Sequence, residues 1–213
     1  MRVIVTRPRA QAGPLVARLE QLGAEVVECP LIEIERTSDE PVDAAGYDWL
    51  VVTSPNGADE IASRGRNLPQ VAAVGPGTAE ALRAHGIEPA FVPVESSQEG
   101  LLREFPHPAG RVLFAAAEGA RRAAIDALDA DFVPLYRTRL LTPVPPAGDV
   151  VVLASGSAAR AYAAVGGAAP AATIGPETSR VARSVGFTVA GEAASHDLDG
   201  LVAAVANLMD SQT

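Results

Sequence analysis

The sequence predicts an α/β fold with two domains, each built around a parallel sheet. Three observations predict it. Short apolar runs alternate with helical stretches rich in Ala, Leu and Arg along the whole chain. The runs are apolar at nearly every position, which is typical of strands covered on both faces of a parallel sheet. One stretch of the chain also recurs 100 residues later, so the same sheet unit is present twice.

Ten strands, each followed by a helix or a connection, account for this pattern. The first strand leads into a helix over about residues 10–22, which Gly23 ends, and a later helix over 78–85 ends at Gly86. Helices are also expected over 57–63, 98–104 and 120–128 and after each of the last three strands. The predicted strands are Arg2–Thr6, Glu25–Pro30, Trp49–Ser54, Val71–Gly75, Ala90–Val94, Arg111–Ala116, Asp131–Tyr136, Val150–Ser155, Ala171–Gly175 and Thr188–Glu192.

The repeat is clearest where a glycine and a proline follow an apolar strand. Residues 71–86 read VAAVGPGTAEALRAHG, and residues 171–186 read AATIGPETSRVARSVG. The matching positions include Gly75/Gly175, Pro76/Pro176, Thr78/Thr178, Arg83/Arg183, Gly86/Gly186 and, further on, Gly100-Leu101/Gly200-Leu201. The chain therefore holds two copies of a five-stranded unit.

Two polar, proline-containing stretches predict the domain boundaries. Residues 35–41 read ERTSDEP, and residues 139–148 read RLLTPVPPAG; each follows the second strand of one repeat copy. Such composition marks linkers. The sequence therefore predicts a discontinuous domain A, residues 1–34 plus 149–213, with domain B, residues 42–138, inserted into it. The two linkers together would form a two-stranded hinge.

Composition and charge exclude several classes of protein. The net charge is −9, which argues against nucleic acid or an anionic membrane as the main partner. No apolar run reaches the roughly 18 residues of a membrane span, and no signal peptide is evident, so we expect a cytoplasmic protein. The single cysteine, Cys29, lies in an apolar run and is expected in the core.

The sequence predicts no cofactor and no metal. The three histidines, His85, His107 and His196, share no ligand spacing. The stretch GPGT is not followed by the Gly-Lys-Ser/Thr of a P-loop, and neither GPGTAE nor GPETSR has the third glycine of a dinucleotide-binding fingerprint. A flavin or dinucleotide enzyme is therefore disfavoured.

Small polar residues follow the strands in both copies. Residues 50–57 read LVVTSPNG and residues 151–158 read VVLASGSA, so an apolar strand leads twice into a hydroxyl residue and a helix start. Ligands of parallel α/β sheets bind beyond the carboxyl ends of the strands, where helix N–H groups attract anions. The alternative is that these residues only cap helices. The candidate substrate-binding residues are Thr6, Arg7, Thr53, Ser54, Asn56, Gly57, Gly75, Thr78, Ser97, Ser155, Ser157, Ala158, Gly175, Thr178 and Ser179.

Over nearly its full length the chain resembles the uroporphyrinogen-III synthases. The resemblance rests on VIVTRP, WLVVTSPNGA, AVGPGTAEALRAHG, VPLYRT and TIGPETSRVARSVG, followed by DGL, in this order. It implies two flavodoxin-like domains joined by two linkers, in agreement with the layout above. It also implies an enzyme that closes hydroxymethylbilane, with loss of water and inversion of the terminal pyrrole ring, for the synthesis of haem, sirohaem, cobalamin or chlorophyll.

The resemblance carries further expectations about partners. The substrate is a polycarboxylate, and helix N–H groups suit its carboxylates. No cofactor is expected. We expect a monomer that contacts hydroxymethylbilane synthase transiently.

The repeat also isolates one polar difference between its copies. CPLIE at residues 29–33 aligns with VPLYR at 133–137, so Tyr136 stands where the other copy has Ile32. The reaction is asymmetric, and the resemblance assigns the catalytic role to Tyr136, whose hydroxyl can donate a hydrogen bond at neutral pH. Two alternatives stay open: a tyrosine that only fills a domain junction, and a two-domain module that binds a small metabolite without catalysis.

Overall fold

The computed structural model describes residues 1–211. They form two compact units. The terminal unit contains residues 1–33 and residues from 139 onwards, and the inserted unit contains residues 34–138. The strands are β1 Arg2–Val5, β2 Glu25–Glu28, β3 Ile32–Arg36, β4 Val42–Asp43, β5 Trp49–Val52, β6 Gly65–Arg66, β7 Gln70–Ala73, β8 Val112–Ala117, β9 Asp131–Leu140, β10 Val150–Leu153, β11 Ala171–Thr173 and β12 Val189–Glu192. The helices are α1 Arg9–Gln21, α2 Pro55–Arg64, α3 Pro76–Ala84, α4 Gln98–Glu104, α5 Ala123–Ala127, α6 Gly156–Ala164, α7 Pro176–Ser184 and α8 Leu198–Asp210.

Each unit is built on a five-stranded sheet. The order is β12-β11-β10-β1-β2 in one sheet, which is parallel throughout. The other has the order β3-β9-β8-β5-β7, with β9, β8, β5 and β7 parallel. The predicted α/β class with parallel sheets is confirmed. The short strands β4 and β6 form a separate parallel pair.

Both faces of each sheet are covered, as the continuous apolar runs predict. Along β1, Val3 and Val5 pack in one core cluster and Ile4 in another. Along β5, Leu50 and Val52 face one cluster while Val51 faces the other. Because side chains alternate along a strand, an apolar residue at every position means that helices cover both sides.

The chain passes from one unit to the other within β3 and again within β9. These two strands are hydrogen-bonded neighbours. The N–H of Leu141 donates to the carbonyl of Leu31. Further along, the N–H of Thr37 donates to the carbonyl of Leu135, so the strands run antiparallel. Both stretches predicted as linkers therefore begin within paired strand.

The predicted strand over residues 90–94 is wrong. Only an isolated bridge between Phe91 and Ala72 forms there. The segment is bounded by Pro89 and contains Pro93, and proline has no N–H to donate to a neighbouring strand. Its counterpart in the repeat has no proline and forms β12.

Candidate active site

In both units, helices begin directly after the carboxyl ends of central strands. Helices α2 and α3 follow β5 and β7, and helices α6 and α7 follow β10 and β11. Proline occupies the first position of α2, α3 and α7, where its missing N–H costs nothing. This arrangement brings most of the sequence-predicted residues to the strand ends of their own unit.

A β-bulge in β9 determines the direction in which the Tyr136 side chain points. Ala116 of β8 pairs with Pro134, and Ala117 pairs with Tyr136, so Leu135 is an extra residue in the ladder. Successive side chains normally point to opposite faces, but Leu135 and Tyr136 both join the same core cluster. Proline fits at this point because a bulge does not need its N–H. The Tyr136 side chain therefore lies on the side of α2.

Arg64 and Thr37 hold the backbone at this bulge. The buried guanidinium of Arg64 donates to the carbonyl of Leu135 at 3.0 Å and to the carboxylate of Glu60 at 3.0 Å. Thr37 donates its hydroxyl to the carbonyl of Pro134 at 2.6 Å and its N–H to that of Leu135 at 3.2 Å. The bulge is thus fixed by groups from outside β9.

Ser54 joins Tyr136 to the start of α2. Its Oγ lies 2.8 Å from the phenolic oxygen of Tyr136, and either hydroxyl can be the donor in that hydrogen bond. The same Oγ accepts the N–H of Gly57 at 3.1 Å, which is a helix N-cap. Tyr136 itself is only 7% exposed.

The equivalent serine of the terminal unit makes the cap without a tyrosine. The Oγ of Ser155 accepts the N–H of Ala158 at 3.1 Å. Its other partner is the hydroxyl of the exposed Ser157, at 2.9 Å. Of these two capping serines, therefore, only Ser54 contacts a phenol.

These caps already use two N–H groups that the sequence argument assigned to the substrate, those of Gly57 and Ala158. A Cβ added at Gly57 would lie 3.2 Å from Val52 Cγ1 and 3.6 Å from Leu135 Cδ1. A side chain at this position would therefore enter the core and not the space beyond the helix start. Any ligand contact from either N–H would have to displace its serine.

Helices α3 and α7 differ, because no side chain of residues 1–211 caps them. Their N-cap residues are Gly75 and Gly175. Thr78 and Thr178, in the first turns, are each 5% exposed. Uncapped N–H groups at the positive end of a helix are suited to carboxylates.

A loop residue lies close over each of these N-cap glycines. A Cβ on Gly75 would be 3.1 Å from the Cβ of Ser96, and a Cβ on Gly175 would be 2.7 Å from the ring of His196. A side chain at Gly175 would therefore require the His196 ring to shift. The two repeat copies thus build the same close approach with different residues.

Arg7 is the least satisfied of the predicted residues. Its Nε is buried and has no hydrogen-bond partner within residues 1–211. Burial also lowers the pKa of its guanidinium. Neighbouring Thr6 is different, since its hydroxyl donates to the carbonyl of Val152 at 3.1 Å. A carboxylate would satisfy the Arg7 N–H with a charge-assisted hydrogen bond.

Ser179 is buried inside the terminal unit, where its hydroxyl is already hydrogen-bonded. It is fully buried, its Oγ lies 2.6 Å from the hydroxyl of Thr173, and it donates to the carboxylate of Glu192. This polar chain exists in one copy only, because the equivalent residues of the other copy are Ala73, Ala79 and Val92.

The remaining predicted residues lie near helix starts. Ser97 accepts the N–H of Gly100 at 2.8 Å and donates to Glu95 at 2.8 Å. Thr53 and Asn56 are partly buried on either side of the α2 cap. Ser97 is therefore also engaged as a cap.

Sequence reasoning did not single out Arg64 or Thr37. The signal for Arg64 lies in the repeat, since the alignment of Ser54 with Ser155 places Val165 opposite this arginine. A buried charge in one copy where the other has valine marks a position with a specific partner.

No set of three His, Cys, Asp or Glu side chains within residues 1–211 is arranged to hold a metal ion. Among the helices described, none has the length and apolar character needed to cross a membrane.

Comparison with known proteins gives a consistent result. Residues 13–203 match the family model described as uroporphyrinogen-III synthase HemD. A uroporphyrinogen-III synthase of Synechococcus elongatus is 29% identical over 95% of this chain and 93% of its own length. Among solved structures, uroporphyrinogen-III synthetase from Helicobacter pylori has a TM-score of 0.64 at 18% identity, with full coverage of both chains. A mutant uroporphyrinogen III synthase from Thermus thermophilus has a TM-score of 0.62 at 15% identity, covering 99% of each chain.

Proposed function

The chain belongs to the uroporphyrinogen-III synthase family, and we propose that Tyr136 is the catalytic residue of its cyclisation reaction. The enzyme closes hydroxymethylbilane to uroporphyrinogen III. The substrate hydroxyl leaves as water, and the exposed carbon attacks the substituted position of the terminal pyrrole. The spiro intermediate then fragments and recloses with that ring inverted. The family assignment leaves the alternative of a non-catalytic metabolite-binding module without support.

The observation that carries the proposal is the bulge in β9. It gives Tyr136 a direction that regular strand geometry would not, and Arg64 and Thr37 stabilise it from outside the strand. Bulges recur next to active sites because they re-aim a side chain. The bulge delivers the phenol to the carboxyl end of the sheet, where ligands of such folds bind. There the phenol would donate its proton to the departing hydroxyl.

In the inserted unit the uncapped start of α3 would bind substrate carboxylates, and in the terminal unit the uncapped start of α7 and Arg7 would do so. The N–H groups at these two helix starts can donate hydrogen bonds to anions without adding a fixed cation to an acidic protein. Arg7 supplies one buried N–H in need of an acceptor. Among the other candidates, Ser155, Ser157, Thr53 and Asn56 are accessible at helix starts, whereas Ser179 would act only by supporting α7.

Replacing Tyr136 with phenylalanine tests the catalytic role. Because general acid assistance contributes about 10²-fold or more, and the pyrrole nitrogen already expels the hydroxyl, we expect kcat to fall by about 10- to 100-fold. The free energy of unfolding should fall by about 1 kcal/mol for the lost hydrogen bond. Isomers I and III are separated chromatographically after incubation with hydroxymethylbilane, and isomer III should remain the enzymatic product.

Tyr47→Phe is the matched control for this prediction. It removes a phenol of the same unit that donates to Asp131 at 2.8 Å. Its kcat should match that of the wild type. An unchanged kcat in Tyr136→Phe, with or without loss of stability, would make Tyr136 a packing residue.

The cellular setting belongs to the same proposal. We expect a monomer in the cytoplasm that receives its unstable substrate from hydroxymethylbilane synthase during transient contact. Light scattering after size exclusion gives the mass of the particle, and a dimer would contradict the first of these expectations.

A further inference from the structure

We propose that Ser54 is a positioning residue that keeps the proton of Tyr136 directed at the substrate, and not itself a substrate ligand. This inference rests on the catalytic role of Tyr136. The supporting observation is the pair of hydrogen bonds made by the Oγ of Ser54. The Oγ of Ser54 accepts from the N–H of Gly57 at 3.1 Å and lies 2.8 Å from the phenolic oxygen of Tyr136.

A serine hydroxyl has one hydrogen and two lone pairs. If Tyr136 donated to Ser54, its only proton would be occupied and the leaving hydroxyl would receive none. If Ser54 donates, the phenolic proton stays available for the substrate. The second arrangement is the one that acid assistance requires.

The helix start favours this second arrangement. The N–H of Gly57 occupies one lone pair of Ser54, and an oxygen that accepts a hydrogen bond becomes a stronger donor. The N-terminus of α2 also carries partial positive charge, which opposes further donation of protons towards Ser54. Both effects point the serine hydrogen at the phenol.

The proton balance of the reaction can be followed through this pair. The C–O bond of the hydroxymethyl group breaks as the pyrrole nitrogen pushes electrons towards it, and the Tyr136 proton joins the departing oxygen to form water. The phenolate left behind accepts the Ser54 hydrogen bond. When the ring recloses, the newly bonded pyrrole carbon loses its hydrogen as a proton, which restores the phenol. No other reactant is needed.

The repeat separates this role from helix capping. Ser155 makes the same cap in the terminal unit without a phenol as partner. Position 32, equivalent to Tyr136, is an isoleucine. A cap alone therefore accounts for Ser155, whereas Ser54 makes an additional contact with Tyr136, a tyrosine that the other copy lacks.

The experiment measures kcat and KM for Ser54→Ala, Ser54→Gly and Ser54→Thr. Glycine removes the hydroxyl but is tolerated at an N-cap, so it tests the inference even if the alanine variant does not fold. Threonine keeps both hydrogen bonds. We expect kcat to fall about tenfold in the alanine and glycine variants, the effect of one hydrogen bond, with KM within twofold of the wild type. Ser54→Thr should restore kcat.

Repeating the Ser54 substitutions in the Tyr136→Phe variant shows whether Ser54 acts through Tyr136. In Tyr136→Phe, replacing Ser54 should lower kcat by less than twofold further, because the serine acts only through the phenol. Asp197→Ala, which removes the cap that accepts the Gly200 N–H of α8 at 2.8 Å, should destabilise the fold without changing kcat.

Each failure has a distinct meaning. An equal loss of kcat from the Ser54 variants in both backgrounds, or a loss seen as a rise in KM, would make Ser54 a substrate ligand and overturn the inference. An unchanged kcat in Ser54→Gly would also overturn it while leaving Tyr136 catalytic. An unchanged kcat in Tyr136→Phe would instead remove the proposed function on which the inference rests.

Discussion

At the scale of single residues, Arg7 stands out because its buried Nε has no hydrogen-bond acceptor among residues 1–211. A buried N–H without an acceptor destabilises the fold by about 1–3 kcal/mol, since it has lost water and gained nothing. The Nε of Arg7 is buried and has no acceptor in the part of the chain that the structure describes, and burial lowers the pKa of the guanidinium. We therefore expect Arg7 to lower the stability of the fold and to raise the affinity for a substrate carboxylate.

The variant Arg7→Met tests both expectations, for stability and for affinity. The variant keeps an unbranched apolar stem and removes the unsatisfied N–H, so the free energy of unfolding should stay level or rise. The KM for hydroxymethylbilane should rise by about tenfold, because a hydrogen bond to a charged group is worth about 1.5–3 kcal/mol. Initial rates over a range of substrate concentrations give KM.

Arg183→Met provides the control for that measurement. Arg183 lies exposed in the last turn of α7 and changes the net charge by the same amount. Its KM should remain that of the wild type. A KM for Arg7→Met equal to the wild-type value would remove Arg7 from the binding site.

At the scale of elements, the bulged strand β9 depends on Arg64. Arg64→Lys keeps the charge but cannot reproduce the guanidinium's simultaneous bonds to Leu135 and Glu60. We expect the free energy of unfolding to fall by about 1–3 kcal/mol, because at least one hydrogen bond from the buried charged side chain is lost. The kcat should fall as well, since the backbone next to Tyr136 is no longer held. Urea unfolding and the cyclisation assay check the two effects.

The exposed Arg66 supplies a matched variant, Arg66→Lys. Among residues 1–211, its guanidinium donates only to the carbonyl of the adjacent Gly65, at 2.8 Å. Its stability should stay within about 0.5 kcal/mol of the wild type, as for most surface substitutions. Equal effects of the two substitutions would mean that Arg64 does not anchor the bulge.

The bulge also marks the limit of what the sequence predicts about elements. Apolar runs locate β1, β5, β8 and β10 because burial on both faces leaves a continuous pattern. An extra residue in one strand leaves no such pattern, because Leu135 and Tyr136 are both compatible with burial. The one available signal is Pro134, which in a strand with neighbours on both sides requires a bulge.

At the scale of the whole molecule, comparing the two repeat copies predicts more than either copy does alone. The comparison isolates Tyr136 against Ile32 without any structure. It does not predict the Ser54–Tyr136 hydrogen bond, which joins residues 82 positions apart and depends on the register of three strands. Nor does it show that the Gly57 and Ala158 N–H groups are taken up by caps, because hydroxyl residues at helix starts serve as caps and as ligands alike.

The central position of β1 has a consequence for the order of events at the ribosome. This strand lies between β2 and β10, with Val3 beside Val150, so one of its two neighbours is synthesised far later than β1 itself. The inserted unit is complete once residue 138 has emerged, and domains generally fold as units during synthesis. Translation arrested just after that point should leave residues 34–138 resistant to protease while residues 1–33 are cleaved. Protection of residues 1–33 from protease before β10 emerges would contradict this order of folding. Until β10 is made, one edge of the apolar strand β1 is expected to lack its partner, so residues 2–5 are an expected binding site for chaperones.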